Sequence, residues 1–231
     1  MTMGLKRIIY ACDIGTTRCS AKTGLPSFAW ARVNPEDGAI QASSCIDKLV
    51  QQLESDIRQG CSIALGFEAP LFIPVPEDWK GLSKGREGDG NRSFASPVGL
   101  TVCALGIHQS AWILRTLYES SSRECDFMLD WQQHWPPRGH RPVLLCWEAF
   151  VSGAAHSELH LMDAATAVNF FYKHETELQD AREPVYAENP LSLIGSVALW
   201  SGWVSDLKFI HKPTLVIKPK EPFRGKYQNL D

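Results

Sequence analysis

Short apolar runs recur along the chain and predict buried strands. Residues 7–12 (RIIYAC), 62–67 (SIALGF) and 142–147 (PVLLCW) are apolar almost throughout, which is typical of strands covered on both faces. Residues 27–33 (SFAWARV) predict a strand that follows the first one, and the turn signal at 34–38 (NPEDG) leads into a short strand near Ala39–Ile40. We therefore predict an antiparallel hairpin unit followed by parallel strands.

Helical spacing separates these strands. Ser44 is predicted to cap a helix whose apolar positions, from Ile46 to Ile57, follow i, i+3, i+4, i+7 spacing, with Gly60 ending it. The remaining predicted elements are helices over residues 97–118, 157–174 and 191–203 and a strand over 214–217, whereas residues 221–231 are expected to be loosely held. The order of elements predicts an α/β fold with a mixed sheet flanked by helices.

Two long segments show neither the apolar pattern of a strand nor the spacing of a helix. Residues 70–96 are rich in proline, glycine and charge, and residues 120–141 are polar and aromatic. Loops of this length inside a compact domain are usually functional or disordered. We interpret residues 1–231 as a single domain with irregular insertions near 70–96 and 120–141, because a chain of 231 residues is short for two cores.

Composition narrows the functional classes. The net charge of -3 gives no overall attraction to nucleic acid or to anionic membranes, so a nucleic-acid binder would need a local basic patch. The cysteine count, 7, is odd and no pair has CxxC spacing, which favours reduced cysteines over a disulfide framework or a zinc cluster. No signal peptide and no apolar stretch of the roughly 20 residues that span a bilayer is apparent. We therefore expect a cytoplasmic protein without membrane contact.

Acidic residues stand where the predicted strands end. Asp13, Glu68 and Glu148 each follow an apolar strand directly, and ligands of open α/β sheets bind outside the carboxyl ends of the strands. Asp163 stands in the middle of the helix predicted over 157–174, where an unpaired buried carboxylate would be costly. A divalent cation relieves the repulsion among crowded carboxylates, and an all-oxygen cluster suits Mg²⁺ or Mn²⁺. His156 and His160 share the helix face of Asp163, and we interpret them as ordinary polar or supporting residues rather than ligands.

The acidic segments resemble a known family in their order along the chain. Asp13 on the first strand, the segments 67–71 (FEAPL) and 147–150 (WEAF) and the helical segment 162–164 (MDA) are similar to the DUF429 family. That family is placed in the ribonuclease-H-like superfamily and is spoken of as predicted nucleases. The resemblance spans roughly residues 7–175, and it implies a ribonuclease-H-like fold.

The resemblance also implies a site. It assigns Asp13, Glu68 and Asp163 as ligands of a divalent metal ion, Mg²⁺ or Mn²⁺, and Glu148 as an accessory acid that orients the attacking water. The family pattern has Asp where this chain has Glu68, so the metal geometry differs or the site is inactive. Arg86 and Arg92, in the 70–96 segment, are further candidates for phosphate contacts.

Three functions stay open from the sequence. The first is a metal-dependent nuclease or phosphodiester hydrolase, with nucleic acid as its partner. The second is a nucleotide-binding phosphotransferase, because residues 13–17 (DIGTT) resemble the first phosphate loop of sugar kinases and actin-like ATPases. The third is a binding protein that keeps the fold without catalysis. Trp79, Trp131 and Trp135 stand in polar loops and either stack on bases or close over the core.

Overall fold

The computed structural model describes residues 6–21, 24–90, 94–121, 124–137 and 141–231. The predicted phosphate-contact residue Arg92 lies outside the described residues. The strands are β1 Arg7–Asp13, β2 Ala29–Val33, β3 Ile40–Ser43, β4 Ser62–Glu68, β5 Phe72–Pro74, β6 Asp126–Met128, β7 Val143–Ala149, β8 Pro190–Ser192, β9 Val216–Ile217 and β10 Gln228–Asn229. The α-helices are α1 Ile46–Arg58, α2 Pro97–Ser121, α3 Trp131–His134, α4 His160–Lys173, α5 Leu178–Ala181 and α6 Leu193–Ser201.

One mixed sheet forms the centre of the molecule. Its strands lie in the order β10-β3-β2-β1-β4-β7-β6, with β9 paired to β7 beyond the end of β6. The β1-β2 and β2-β3 pairs are antiparallel, whereas β1-β4, β4-β7 and β7-β6 are parallel. This arrangement confirms the predicted α/β class, with a mixed sheet of mostly parallel strands flanked by helices.

Each face of the sheet carries its own hydrophobic core. Alternate strand residues point to opposite faces of the sheet. Tyr10 and Cys12 of β1 therefore lie in the core beneath α1, α2 and α6. The neighbouring Ile9 and Ala11 enter the core beneath α4, where Phe171 is fully buried. The near-continuous apolar runs of β1, β4 and β7 follow from this double coverage.

The 120–141 segment is more regular than its sequence indicates. It contains β6, which forms the edge of the sheet, and the short helix α3. A strand of 3 residues is too short to show an alternating pattern. Trp135, whose side chain lies in the core against Phe171, is buried, while Trp79 is 74% exposed.

The tail and two helix starts differ from the predictions. Residues 221–231 were expected to be loosely held, but β10 pairs with β3 and Leu230 N–H donates to Ala42. Ser44 does not cap α1, because its hydroxyl donates to Asp231 at 2.8 Å. The helix predicted over 191–203 is preceded by β8 and begins at Leu193, where the hydroxyl of Ser192 accepts from Gly195 N–H.

The sequence predicts no apolar stretch of membrane-spanning length, and helix α2 differs from that prediction. Among the described helices it alone is long and apolar enough to cross a bilayer by length and composition, with a mean hydropathy of 1.3. Its residues Ile113, Leu114 and Leu117 are fully buried in the core shared with α1 and the sheet. Core helices of soluble proteins pass the same criterion, so α2 is a weak indication of a membrane span.

Gly66 in β4 has no side chain, which leaves room for the indole ring of Trp147 on the neighbouring strand β7. It pairs in register with Trp147 of β7, and a Cβ at position 66 would overlap the indole ring. We expect Gly66→Ala to lower the free energy of unfolding by about 1–3 kcal/mol through overpacking. Urea denaturation measures the loss. Adding Trp147→Phe should make the two changes less than additive in a double-mutant cycle, and full additivity would contradict the contact.

Candidate functional site

Asp13 and Glu68 are the last residues of the neighbouring strands β1 and β4. They are directly paired in the parallel β1-β4 ladder, so their backbones lie about 4.8 Å apart. Directly opposed residues point to the same face of a sheet, which here is the face covered by α4. The structure therefore brings together two of the carboxylates that the sequence singled out.

Asp13 is paired with a histidine from α4. Its side chain is largely buried, and its Oδ2 lies 2.7 Å from Nδ1 of His160, the first residue of α4. Burial raises the pKa of Asp13, and the hydrogen bond from His160 offsets part of that rise. The same hydrogen bond raises the pKa of His160, whose side chain is half-exposed. The two side chains therefore form a hydrogen-bonded carboxylate–imidazole pair at the carboxyl end of β1.

Asp163 forms a second pair of the same kind. It lies in the first turn of α4 rather than in the middle of a helix, because α4 begins at His160 and not at residue 157. Ser157 N–H donates to its Oδ1 at 2.7 Å, and Nδ1 of His156 lies 2.6 Å from its Oδ2. Burial raises the pKa of Asp163, which these contacts partly offset. Its charge in turn raises the pKa of Asp13, so the two pairs are electrostatic neighbours.

Glu148 lies on the opposite face of the sheet from Asp13 and Glu68. It pairs in register with Phe67, one residue before Glu68, so the alternation of side chains turns it toward α2. Its two oxygens accept from Arg86 at 2.6 and 2.7 Å, and Oε2 also accepts from Leu71 N–H at 2.9 Å. These bonds fix the start of the 70–96 segment to β7.

Arg86 was predicted to contact phosphate, but the structure buries it. Its Nε and Nη2 donate to Asp89, and its Nη1 donates to the backbone carbonyl of Phe72 as well as to Glu148. A guanidinium has five N–H donors, and these contacts engage each of them. Arg86 thus holds Glu148 and Asp89 in place, and its phosphate contact stays a prediction.

A cavity of about 440 Å³ opens at the carboxyl ends of β1 and β4. Its lining includes Asp13, Glu68, Glu148 and Arg86, together with the first turn of α2 at Val98 and Gly99. Ser96 caps that turn, because its hydroxyl accepts from Gly99 N–H at 3.0 Å. The start of a 25-residue helix carries partial positive charge, so the cavity combines three carboxylates and one guanidinium with the positive end of α2.

The predicted metal site requires three carboxylates that converge. Among the described residues, no group of three or more His, Cys, Asp or Glu side chains is placed to hold a metal ion. Asp13 and Glu68 supply oxygens of the kind that Mg²⁺ prefers, but Asp163 directs its oxygens to Ser157 and His156. The side chains as arranged therefore do not fit a bound divalent cation.

Comparison with protein-family models, with curated proteins and with solved structures finds no match for this chain.

The histidines are the residues whose importance the sequence left open. The spacing predicts one helix face for His156, His160 and Asp163, but His156 precedes α4, which begins at His160, and the partner of His160 is Asp13, 147 positions away. Asp89 was not predicted at all, although its separation of 3 from Arg86 is a local signal. Only the fold shows that this local pair is buried against Glu148.

The buried pairing of Arg86 predicts a large effect on stability. We expect Arg86→Met to lower the free energy of unfolding by about 3–5 kcal/mol, because Glu148 and Asp89 would both be left buried without a cation. Glu148→Gln should lower it by less, since Asp89 still balances Arg86. Arg115→Met is the control, because the exposed pair of Arg115 with Glu119 should contribute only about 0.3–0.5 kcal/mol. Equal losses for Arg86→Met and Arg115→Met, measured by urea denaturation, would contradict this account.

The pairing of His160 with Asp13 predicts a change in titration. In Asp13→Asn the pKa of His160 should fall, because the protonated imidazole loses its carboxylate partner. NMR titration of the imidazole protons measures the pKa in both proteins. Asp47→Asn, at an exposed position in the first turn of α1, is the control and should leave the pKa of His160 where it is. An unchanged pKa in Asp13→Asn would show that the pair does not form.

Proposed function

We propose that this protein is a ribonuclease-H-like hydrolase that cleaves a phosphodiester and acts in the cytoplasm. The strand order β3-β2-β1-β4-β7, with β2 antiparallel to its neighbours, supports the ribonuclease-H-like topology that the sequence resemblance implies. The observation that carries the chemistry is the in-register pair Asp13 and Glu68 on the wall of the 440 Å³ cavity.

A phosphodiester is the substrate class that the charges favour. The α2 N-terminus also lines the cavity, and helix N-termini favour phosphates and other negative groups. His160 is hydrogen-bonded to Asp13, which raises the pKa of the imidazole, and a protonated imidazole there reduces the repulsion between such a group and Asp13. Without this compensation, two carboxylates would oppose the approach of an anionic substrate.

Asp13 acts as the general base in this proposal. Its Oδ2 is bound to His160, and its Oδ1 takes a proton from the water that attacks phosphorus. The P–O bond to the leaving oxygen breaks as the new P–O bond forms, and solvent water protonates that oxygen. A raised pKa makes the carboxylate a better proton acceptor near neutral pH than an ordinary aspartate. Glu68, beside it, orients the same water. His160 stabilises the charge of Asp13 before the proton arrives.

A divalent cation is the second part of the sequence-based hypothesis. Mg²⁺ or Mn²⁺ would supply charge stabilisation at the phosphate when bound. Because the described side chains do not converge on a three-ligand site, we assign no step to it. The role of Glu148 in orienting water and phosphate contacts by Arg86 and Arg92 also stay predictions.

The experiment is a hydrolysis assay with matched variants. The substrates are bis(p-nitrophenyl) phosphate and end-labelled single-stranded and double-stranded DNA and RNA, each in parallel arms with EDTA, Mg²⁺ or Mn²⁺. We expect turnover of at least one substrate and a loss of about 100-fold or more in Asp13→Asn, the usual scale for a lost general base. The exposed Asp47→Asn should keep the wild-type rate.

The cation arms separate the two versions of the mechanism. Turnover in EDTA would support the Asp13 base acting without a metal. Turnover only with Mg²⁺ or Mn²⁺ would support the sequence-based prediction that a divalent cation takes part in hydrolysis. Absence of turnover for every substrate would contradict hydrolysis and favour the non-catalytic binding protein. Turnover at an equal rate in Asp13→Asn would contradict the assignment of Asp13 as the base.

A further inference from the structure

The exposed face of α2 carries no charged side chain over most of its length. Residues 97–114 contain no Asp, Glu, Lys or Arg, and the first charged side chain of the helix is Arg115. Thr101, Ala104 and His108 are exposed and share one face by their i, i+3, i+7 spacing. Exposed helix faces usually carry charged residues, whereas helices that are apolar all round are normally buried. The composition of this face is therefore that of a buried helix.

A groove of about 830 Å³ lies between α2 and α6. Ala104 and Ala111 line it from α2, and their methyl side chains leave room for a bulky group. Trp200 lines it from α6 and is 66% exposed, so most of its indole is accessible beside the groove. One chain thus presents a large apolar side chain and an apolar recess next to each other.

A face with both features is complementary to itself. In a two-fold dimer both subunits use the same surface, so a residue that contacts a second one in the other copy is matched by the reverse contact. The indole of Trp200 is the bulky group and the recess beside Ala104 and Ala111 is its receptor. Small side chains at a helix crossing also allow the two helix axes to approach closely.

Charge favours a second copy of the chain over a membrane surface. Helices that lie on membranes carry Lys and Arg beside their apolar face, and residues 97–114 have neither. Arg115 is paired with Glu119 at 2.8 Å. Two antiparallel α2 helices would place the positive end of each dipole beside the negative end of the other, and residues 97–114 would bring no like charges together.

The size of the face suits a weak dimer. Residues 97–114 span about 27 Å along the helix axis, and α2 with its neighbour α6 is about 20 Å wide. Such a face contributes roughly 500 Å² per copy, so two copies bury about 1,000 Å², near the lower limit for a specific interface. The dimer should therefore dissociate on dilution.

We propose that the groove between α2 and α6 is an interface between two copies of this chain. Their α2 helices pack antiparallel about a two-fold axis, and each Trp200 enters the groove of the other copy. The inference goes beyond the proposed hydrolysis, because neither Asp13 nor Glu68 lines this groove. Its test needs no substrate.

Sedimentation velocity from about 1 to about 100 μM tests the interface, because a face of this size associates in the micromolar range. We expect a monomer–dimer equilibrium in the wild type. Ala104→Glu should raise the dimer Kd about 100-fold or more, since it places an unpaired charge in the interface. Trp200→Ala should raise it about 30-fold or more, the effect of a dominant interface side chain. Both positions are exposed in the single chain, and far-UV circular dichroism checks that each variant is folded.

Two exposed positions away from the groove supply matched controls. Trp79→Ala removes another exposed indole, and Leu159→Glu adds the same charge beside α4, on the other face of the sheet. Both should dimerise as the wild type does. A wild type that stays monomeric over the whole concentration range, or an unchanged Kd in both Ala104→Glu and Trp200→Ala, would overturn the proposal.

Co-sedimentation with vesicles of phosphatidylcholine and phosphatidylserine separates a second copy from a membrane. We expect the wild type to stay in the supernatant. Vesicle binding that is lost in Ala104→Glu but kept in Leu159→Glu would show that the face contacts lipid, and would overturn the proposal.

Discussion

Buried carboxylates must be balanced by a nearby positive charge, and this constraint organises the structure. An isolated buried charge is far too costly for a domain of marginal stability. Every buried carboxylate that the structure describes has a basic partner within 3.0 Å. The pairs are Asp13 with His160, Asp56 with Arg32, Asp89 and Glu148 with Arg86, Asp163 with His156 and Glu175 with Arg7.

Most of these pairs join elements that are distant in sequence, so they also determine how the layers meet. Asp56 connects α1 to the sheet through Arg32 and through the hydroxyl of Tyr10, which donates to it at 2.5 Å. His160 connects α4 to β1, and Arg86 connects the 70–96 segment to β7. The cavity beside Asp13 and Glu68 is therefore framed by ion pairs on both faces of the sheet.

The sequence predicted the strands and the acids at their ends because both are local patterns. Continuous apolar runs identify β1, β4 and β7, and the acidic residue that ends each run needs no tertiary information. What the sequence could not predict is register. Pairing Glu148 with Phe67 rather than with Glu68 moves Glu148 to the other face, because a shift of one residue reverses side-chain direction. The strands β6 and β10 could not be predicted either. They are too short to show an alternating pattern, and only their pairing with β7 and β3 defines them as strands.

Charge along the edge of the sheet also differs from what the composition indicates. A net charge of -3 argues against a nucleic-acid partner only if charge is spread evenly over the surface. Instead, the carboxyl ends of β1 and β4 hold carboxylates paired with histidines, whereas the cavity near β6 and β9 is lined by both signs of charge, Arg182 and Lys212 with Asp130 and Glu183. The local placement of these charges, rather than the total charge of the chain, therefore governs which ligands can approach this end of the strands.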